Sequence, residues 1–210
     1  TQVGSTVVVG GNDQSFWNRG TIGAGEVLYN PDGSDVIVEP VNHSTIFSNT
    51  YIMYYAGTTG GRHDMGIAVS NNGTHWEGYN DNPVFSGTGD DWVSDYVYTG
   101  SIVKDANDTY HMWYSGGDGK LNHGVGYASS TDGITWDESP ENPIFHVDDG
   151  ESWRTEDTYT VAVVGDKMWF SGEDGSQAIG YATVPPVQNV DTTERYSTIQ
   201  SAIDDAGSGD

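Results

Sequence analysis

Along the first 184 residues, apolar and polar positions alternate with the period of two that marks half-buried strands, and clusters of Gly, Asn and Asp interrupt them at short intervals. No helical period appears in this region. The stretch YIMYYAGTTGGRHDMGIAVSNNGTHW (51–76) returns as YHMWYSGGDGKLNHGVGYASSTDGITW (110–136) and again, shortened, as KMWFSGEDGSQAIGYATV (167–184). A supersecondary unit of short aromatic-rich runs that recurs about every 60 residues is the pattern of an all-β fold, a β-propeller, with one repeat per blade.

Each unit reads as a Trp, an inner strand, two strands closed by a Gly-rich hairpin, a turn, and an outer strand. The spacing predicts inner strands at GEVLYN (25–30), GSIVKD (100–105) and VAVVGD (161–166). Second strands fall on YIMYYAG, YHMWYSG and KMWFSG, third strands on MGIAVS, VGYASS and IGYATV, and outer strands near DNPVF (81–85) and ENPIF (141–145). The third unit lacks its outer strand, because ATV (182–184) runs into Pro185 and Pro186. At the N-terminus, STVVVGGNDQSFW (5–17) has the spacing of NPVFSGTGDDW and NPIFHVDDGESW. Residues 6–10 are therefore expected to form an outer strand that pairs with the third strand of the last blade. A closed ring of three blades and a segment of a larger ring both fit, and the completed strand count favours the closed ring.

The propeller is assigned to 1–184, a polar linker to 185–194, and a separate element to 195–210. In RYSTIQSAIDDAGSGD, Ile199, Ala202, Ile203 and Ala206 follow the spacing of an amphipathic helix, with Ser197 or Thr198 placed to cap it and Gly207 to end it. This segment resembles the one that opens right-handed parallel β-helices of the pectate-lyase type, which implies the start of a β-helix domain. The other reading is a C-terminal helix that packs on the propeller.

Charge narrows the partners. Seven Lys and Arg against 31 Asp and Glu leave a net charge of −24, which repels nucleic acid and anionic membranes. The acids are spread over the turns and Lys is scarce, as in proteins of extreme halophiles; an ordinary acidic secreted protein is the alternative. No apolar run is long enough to span a bilayer, and the absence of cysteine removes disulfides and thiolate metal sites. These features predict an extracellular protein, or one on the cell or virion surface of a halophile. No cofactor is expected. Calcium could bind only through Asp-rich turns such as GDDW (89–92) and VDDGESW (147–153), and His63, His111 and His123 lack metal-ligand spacing.

The phrases YHMWYSG, GYASSTDGITWDESPENPIF and VYTGSIVKD resemble the five-bladed propellers of glycoside hydrolase families 43 and 32. The resemblance implies a central funnel for sugar rings, with catalytic carboxylates projecting from inner strands of different blades. It also supplies the alternative fold, in which this chain is part of a five-bladed ring. When the blades are aligned on Trp17, Trp92 and Trp153, the family's carboxylate positions hold Ala24, Thr99 and Thr160 in one column and Gly23, Tyr98 and Tyr159 in the other. None of these transfers a proton near neutral pH, so whether the chain is an enzyme stays open.

Other acids could take the role. Asp95 and Glu156 stand at equivalent positions after Trp92 and Trp153 and form the candidate catalytic pair, and Glu26 lies on an inner strand. Loops entering inner strands share a face of a propeller with the hairpins joining strands two and three. That face would gather Trp92, Tyr96, Tyr98, Trp153, Arg154 and Asp157 with Arg62, His63, Asn122 and His123 as substrate-binding residues. Aromatic faces flanked by carboxylates and amides suit the two sides of a pyranose.

Three functions are carried forward: glycan recognition, as in a surface adhesin or viral fibre or spike; glycoside hydrolysis or lysis by a carboxylate pair; and structural assembly with copies of itself. The turns SNNGTHW (70–76) and STDGITW (130–136) resemble the Asp-box turns of sialidase propellers and are read as structural. Met53, Met112 and Met168, which recur at one strand position, are assigned to the core.

Overall fold

The computed structural model describes residues 22, 23, 25–31, 35, 36, 38, 50–59, 61–87, 91–119, 124–146 and 157–184. The N-terminal strand expected at 6–10, the linker at 185–194 and the helix at 195–210 lie outside the described residues.

The described chain is all-β apart from one 3-10 turn, Asp91–Val93. In the first blade, β1 (Ile22–Gly23) and β2 (Val27–Tyr29) pair with β3 (Tyr51–Thr59), which forms a hairpin with β4 (Arg62–Ser70), and β5 (Glu77–Gly78) pairs with β4. The second blade repeats this order with β6 (Tyr96–Lys104), β7 (Tyr110–Gly117) and β8 (Gly124–Ser130), flanked by β9 (Asp137–Glu138) and β10 (Phe145–His146). β11 (Asp157–Val164), β12 (Lys167–Glu173) and β13 (Gln177–Thr183) form the third. Among the described residues, the strand pairs within blades are antiparallel, and a parallel bridge, His63 to Tyr96, links blade 1 to blade 2.

The predicted outer strands are split, for a local reason. Pro83 and Pro143 have no N–H to give to a ladder, and the Asn before each supplies the missing pairing. The Asn82 side chain accepts from the Ile67 amide at 2.7 Å and donates to the Ile67 carbonyl at 2.8 Å. Asn142 does the same to Tyr127, at 2.9 and 3.0 Å. Main-chain pairing then resumes at Phe85, opposite Met65, and at Phe145, opposite Val125.

The alternation read from sequence sorts side chains onto two faces per blade. Ile52, Tyr54, Ile67 and Val69 of blade 1 pack on Ile102, Met112, Tyr114 and Ala128 of blade 2. The opposite face of blade 2, with Trp113 and Val125, packs on Val161, Val163, Met168 and Phe170 of blade 3. Each such large apolar side chain withdrawn from water contributes about 1.5–3 kcal/mol. Met112 and Met168 are fully buried, whereas Met53 is half-buried.

Both Asp-box turns are structural joints. Asn72 Oδ1 accepts from the amides of Thr74 and His75 at 2.9 Å, and Asp132 Oδ1 from those of Ile134 and Thr135 at 2.8 and 2.7 Å. The second turn also ties two blades together, since Tyr54 of blade 1 donates its hydroxyl to the Gly133 carbonyl at 2.8 Å.

Candidate functional site

The three inner strands share an irregularity at the same point. β6 slips register between Thr99 and Ser101, β11 between Thr158 and Val161, and blade 1 places three residues between the pairs Gly23–Ala56 and Val27–Met53, where its partner has two. A bulge adds a residue, bends the strand and re-aims neighbouring side chains. Glycine permits it in two blades: a Cβ on Gly25 would lie 1.7 Å from the Tyr54 carbonyl oxygen, and one on Gly100 2.4 Å from that of Trp113.

Tyr98 stands just before the bulge of β6, Tyr159 lies within that of β11, and Gly23 holds the same column in blade 1. Tyr98 joins blade 2 to blade 1, and the residue paired with it across the strand reaches blade 3. Its ring approaches Gly23 (3.7 Å from where a Cβ would stand) and stacks edge-on to His63 at 5.2 Å, while its cross-strand neighbour Ser115 donates to the Tyr159 carbonyl. Tyr96 closes the group, with ring centroids 5.3 Å from Tyr98 and 6.3 Å from His63. His63 Nδ1 is buried and has no hydrogen-bond partner among the described residues. Burial pushes the Tyr98 hydroxyl above its usual range, so the phenol stays a donor.

Two carboxyls belong to these strands. Asp157 is buried at the start of β11, opposite Glu173 of β12. Burial raises its pKa, the Tyr159 hydroxyl that donates to Oδ2 lowers it, the charge of Glu173 raises it again, and the net shift is upward. Glu26, half-buried between β1 and β2, is also pushed up by burial.

The expected site residues are partly brought together. Tyr96, Tyr98, His63 and Arg62 gather where the start of β4 meets the start of β6, and there Arg62 Nε donates to Asp64 at 2.9 Å and Nη1 to the Ser94 carbonyl at 3.0 Å. Asp95 is exposed beside them and acts through its backbone: its N–H donates to the Gly117 carbonyl at 3.0 Å, and its carbonyl accepts from His63 at 3.1 Å. Glu156, Trp153, Arg154, Asn122 and His123 lie outside the described residues. The Asp-rich turns singled out for calcium fall mainly on such residues too.

Trp92 requires a correction, because it is not an open platform. Its indole is buried and stacks on Tyr114 at 5.7 Å, and a Cβ on Gly116, Gly124 or Gly126 would come within 2.9, 3.3 or 2.7 Å of its six-membered ring. The glycines of the hairpin leave a flat bed, and the largest apolar side chain nearby fills it.

Sequence reasoning missed Tyr159 and Glu173 as site residues. The column shared with Tyr98 could have revealed Tyr159, but nothing in the sequence marks Glu173 until β12 is set against Asp157.

A cavity of about 470 Å³ opens at the other end of blade 2, lined by Asp35, Lys104, Asp108, Tyr110 and Asp132 among others. Lys104 is held there by Asp35 and by Asp108 at 3.1 Å, with its ammonium 5.3 Å from the Tyr110 ring centroid. That end is an ion-paired joint between Asp35 and blade 2, at the opposite end of β6 from Tyr96 and Tyr98.

Among solved structures, the chain is similar to one described as a glycoside hydrolase, at 17% identity and a TM-score of 0.64, covering 92% of this chain and 54% of that one. It also matches fructan 1-exohydrolase IIa from Cichorium intybus (18% identity, TM-score 0.48, 66% of this chain and 29% of that one). A third match is the Bombyx mori β-fructofuranosidase BmSUC1 (19%, 0.48, 67% and 32%). The first likeness shows a glycoside-hydrolase-like propeller fold, and the chain spans about half the length of that structure. No family model and no curated protein matches the chain.

Proposed function

We propose that the end of the blades where His63, Tyr96 and Tyr98 gather recognises carbohydrate, in an extracellular or surface setting such as an adhesin or a viral fibre. The observation that carries this reading is the cluster of Tyr96, Tyr98 and His63, where Tyr98 approaches Gly23 of blade 1 and Ser115, paired with Tyr98 on β7, donates to the Tyr159 carbonyl of blade 3. Ring faces offer apolar surface to the C–H side of a sugar, and the phenols, Asp157 and Glu26 offer donors and acceptors for its hydroxyls. A fold shared with a glycoside hydrolase supports the ligand class.

Hydrolysis is the second reading, favoured by Asp157. Cleavage of a glycosidic bond needs one carboxyl kept protonated and a second ionised, and Asp157 has the raised affinity for a proton, with Glu173 opposite. The pair Asp95 and Glu156 is the competing assignment.

The test is proton NMR of the protein in concentrated salt with neutral and acidic oligosaccharides. Recognition predicts ligand line broadening without new anomeric signals, weakened about tenfold, or ~1.4 kcal/mol, by Tyr98→Ala. New anomeric signals abolished by Asp157→Asn, with binding retained, would establish hydrolysis through Asp157. No broadening and no turnover would remove both readings.

A further inference from the structure

The blades bury one another through two complementary faces, and the described arc ends with one of each uncovered. Blade 2 turns Val103, Trp113, Val125 and Tyr127 toward blade 3, with Trp113 and Val125 buried and the other two packed against the same cluster. The repeat places Val164, Trp169, Ile179 and Tyr181 at these four positions in blade 3, and they are 69%, 38%, 74% and 54% exposed. They share one face, since Trp169 lies opposite Tyr181 and Ser171 opposite Ile179 in the register. At the other end of the arc, Val27 of blade 1 corresponds to Ile102 and Val163, which are buried against their preceding blades, yet Val27 is 44% exposed. Met53 is only half-buried where Met112 and Met168 are fully so.

We propose that these two faces join copy to copy: the Trp169 face of one chain seats on the Val27 face of a second, repeating the packing of blade 2 on blade 3. The chain itself carries both halves of the interface, and among the described residues both are exposed at once. Lys167 and Glu173 lie on the same side of β12 at its two ends, and the apolar centre between them is the part that the Val27 face of a second copy would cover. Self-repulsion opposes the contact at low salt, and screening relieves it. The contact is head-to-tail, so each copy uses different residues on its two ends.

Light scattering and sedimentation of the wild-type chain in about 1 M NaCl, where the Debye length is about 3 Å, should show a dimer or larger species that falls toward monomer near 0.1 M. Val27→Glu and Trp169→Glu should each be monomeric alone, yet mix to a one-to-one complex, because each retains the face that the other has lost. If Trp169→Glu fails to fold, Ile179→Lys takes its place at the most exposed position of the face. A wild-type chain that stays monomeric at every salt concentration overturns the proposal and leaves closure within one chain, or onto other blades. Association that survives Val27→Glu but not Trp169→Glu also overturns it, since like faces would then be pairing.

Discussion

Asp132 and Asp157 are both aspartates in a strongly acidic chain, yet their surroundings drive them in opposite directions. Burial opposes ionisation of Asp132, but the amides of Thr135 and Ile134 and the Ser130 hydroxyl outweigh it and hold the carboxyl below its usual range. Its contribution to stability is present above the unfolded pKa of about 3.9 and is lost as pH falls through the lower folded value. Asp132→Ala should destabilise by about 1–3 kcal/mol at neutral pH, with the deficit shrinking in acid; Asp132→Asn should cost less, since Asn72 caps the equivalent turn. Asp157, raised by burial, has the reverse sign, because the native state takes up its proton before the unfolded state does. Asp157→Asn should therefore stabilise the protein at neutral pH, and the gain should vanish as pH falls through the native pKa. Denaturant titrations across pH 2–7, a range of about five units that brackets both groups, would check each sign. The motif SxDGxxW is enough to mark Asp132 as a turn cap, since its partners are the next few amides of the same chain. The burial of Asp157 has no such local signal, because it depends on β12 and on the neighbouring blade.

Among the elements, strand positions followed from alternation because successive residues serve different faces, one packed on the preceding blade and one turned to the next, and a one-residue slip would exchange the two sets. The bulges were not legible. Gly25 and Gly100 look like ordinary strand glycines, and only the approach of the Tyr54 and Trp113 carbonyls shows why a side chain is excluded. Gly100→Ala would force the strand back by several tenths of an ångström against both Trp113 and Val161, so it should cost about 1–3 kcal/mol. It should also displace Tyr98, two residues away, and so weaken ligand broadening even where the protein remains folded. A melting curve paired with the NMR titration separates the two effects. Trp92 shows the opposite failure: an aromatic beside a cluster of polar loop residues suggested a sugar platform, but tertiary packing provided it with a bed of glycines.

For the whole molecule, charge governs stability. Seven cationic side chains cannot offset 31 carboxylates, so compaction brings like charges together. Raising NaCl from about 0.1 to 1 M shortens the screening length from about 10 to 3 Å, and the melting temperature should rise by several degrees, about the effect of 1 kcal/mol; an unchanged or lower value would show that self-repulsion is unimportant here. The all-β class, the repeated blade, the strands of each repeat and the Asp-box turns are written in the residue order alone, because they depend on alternation and turn chemistry within a short stretch of chain. Which aromatics cluster where blades meet, which carboxyl has its pKa raised and which blade faces are exposed among the described residues came only from the folded arrangement. Those properties arise where blades distant in sequence meet, and burial, unlike periodicity, is set by what lies across the contact.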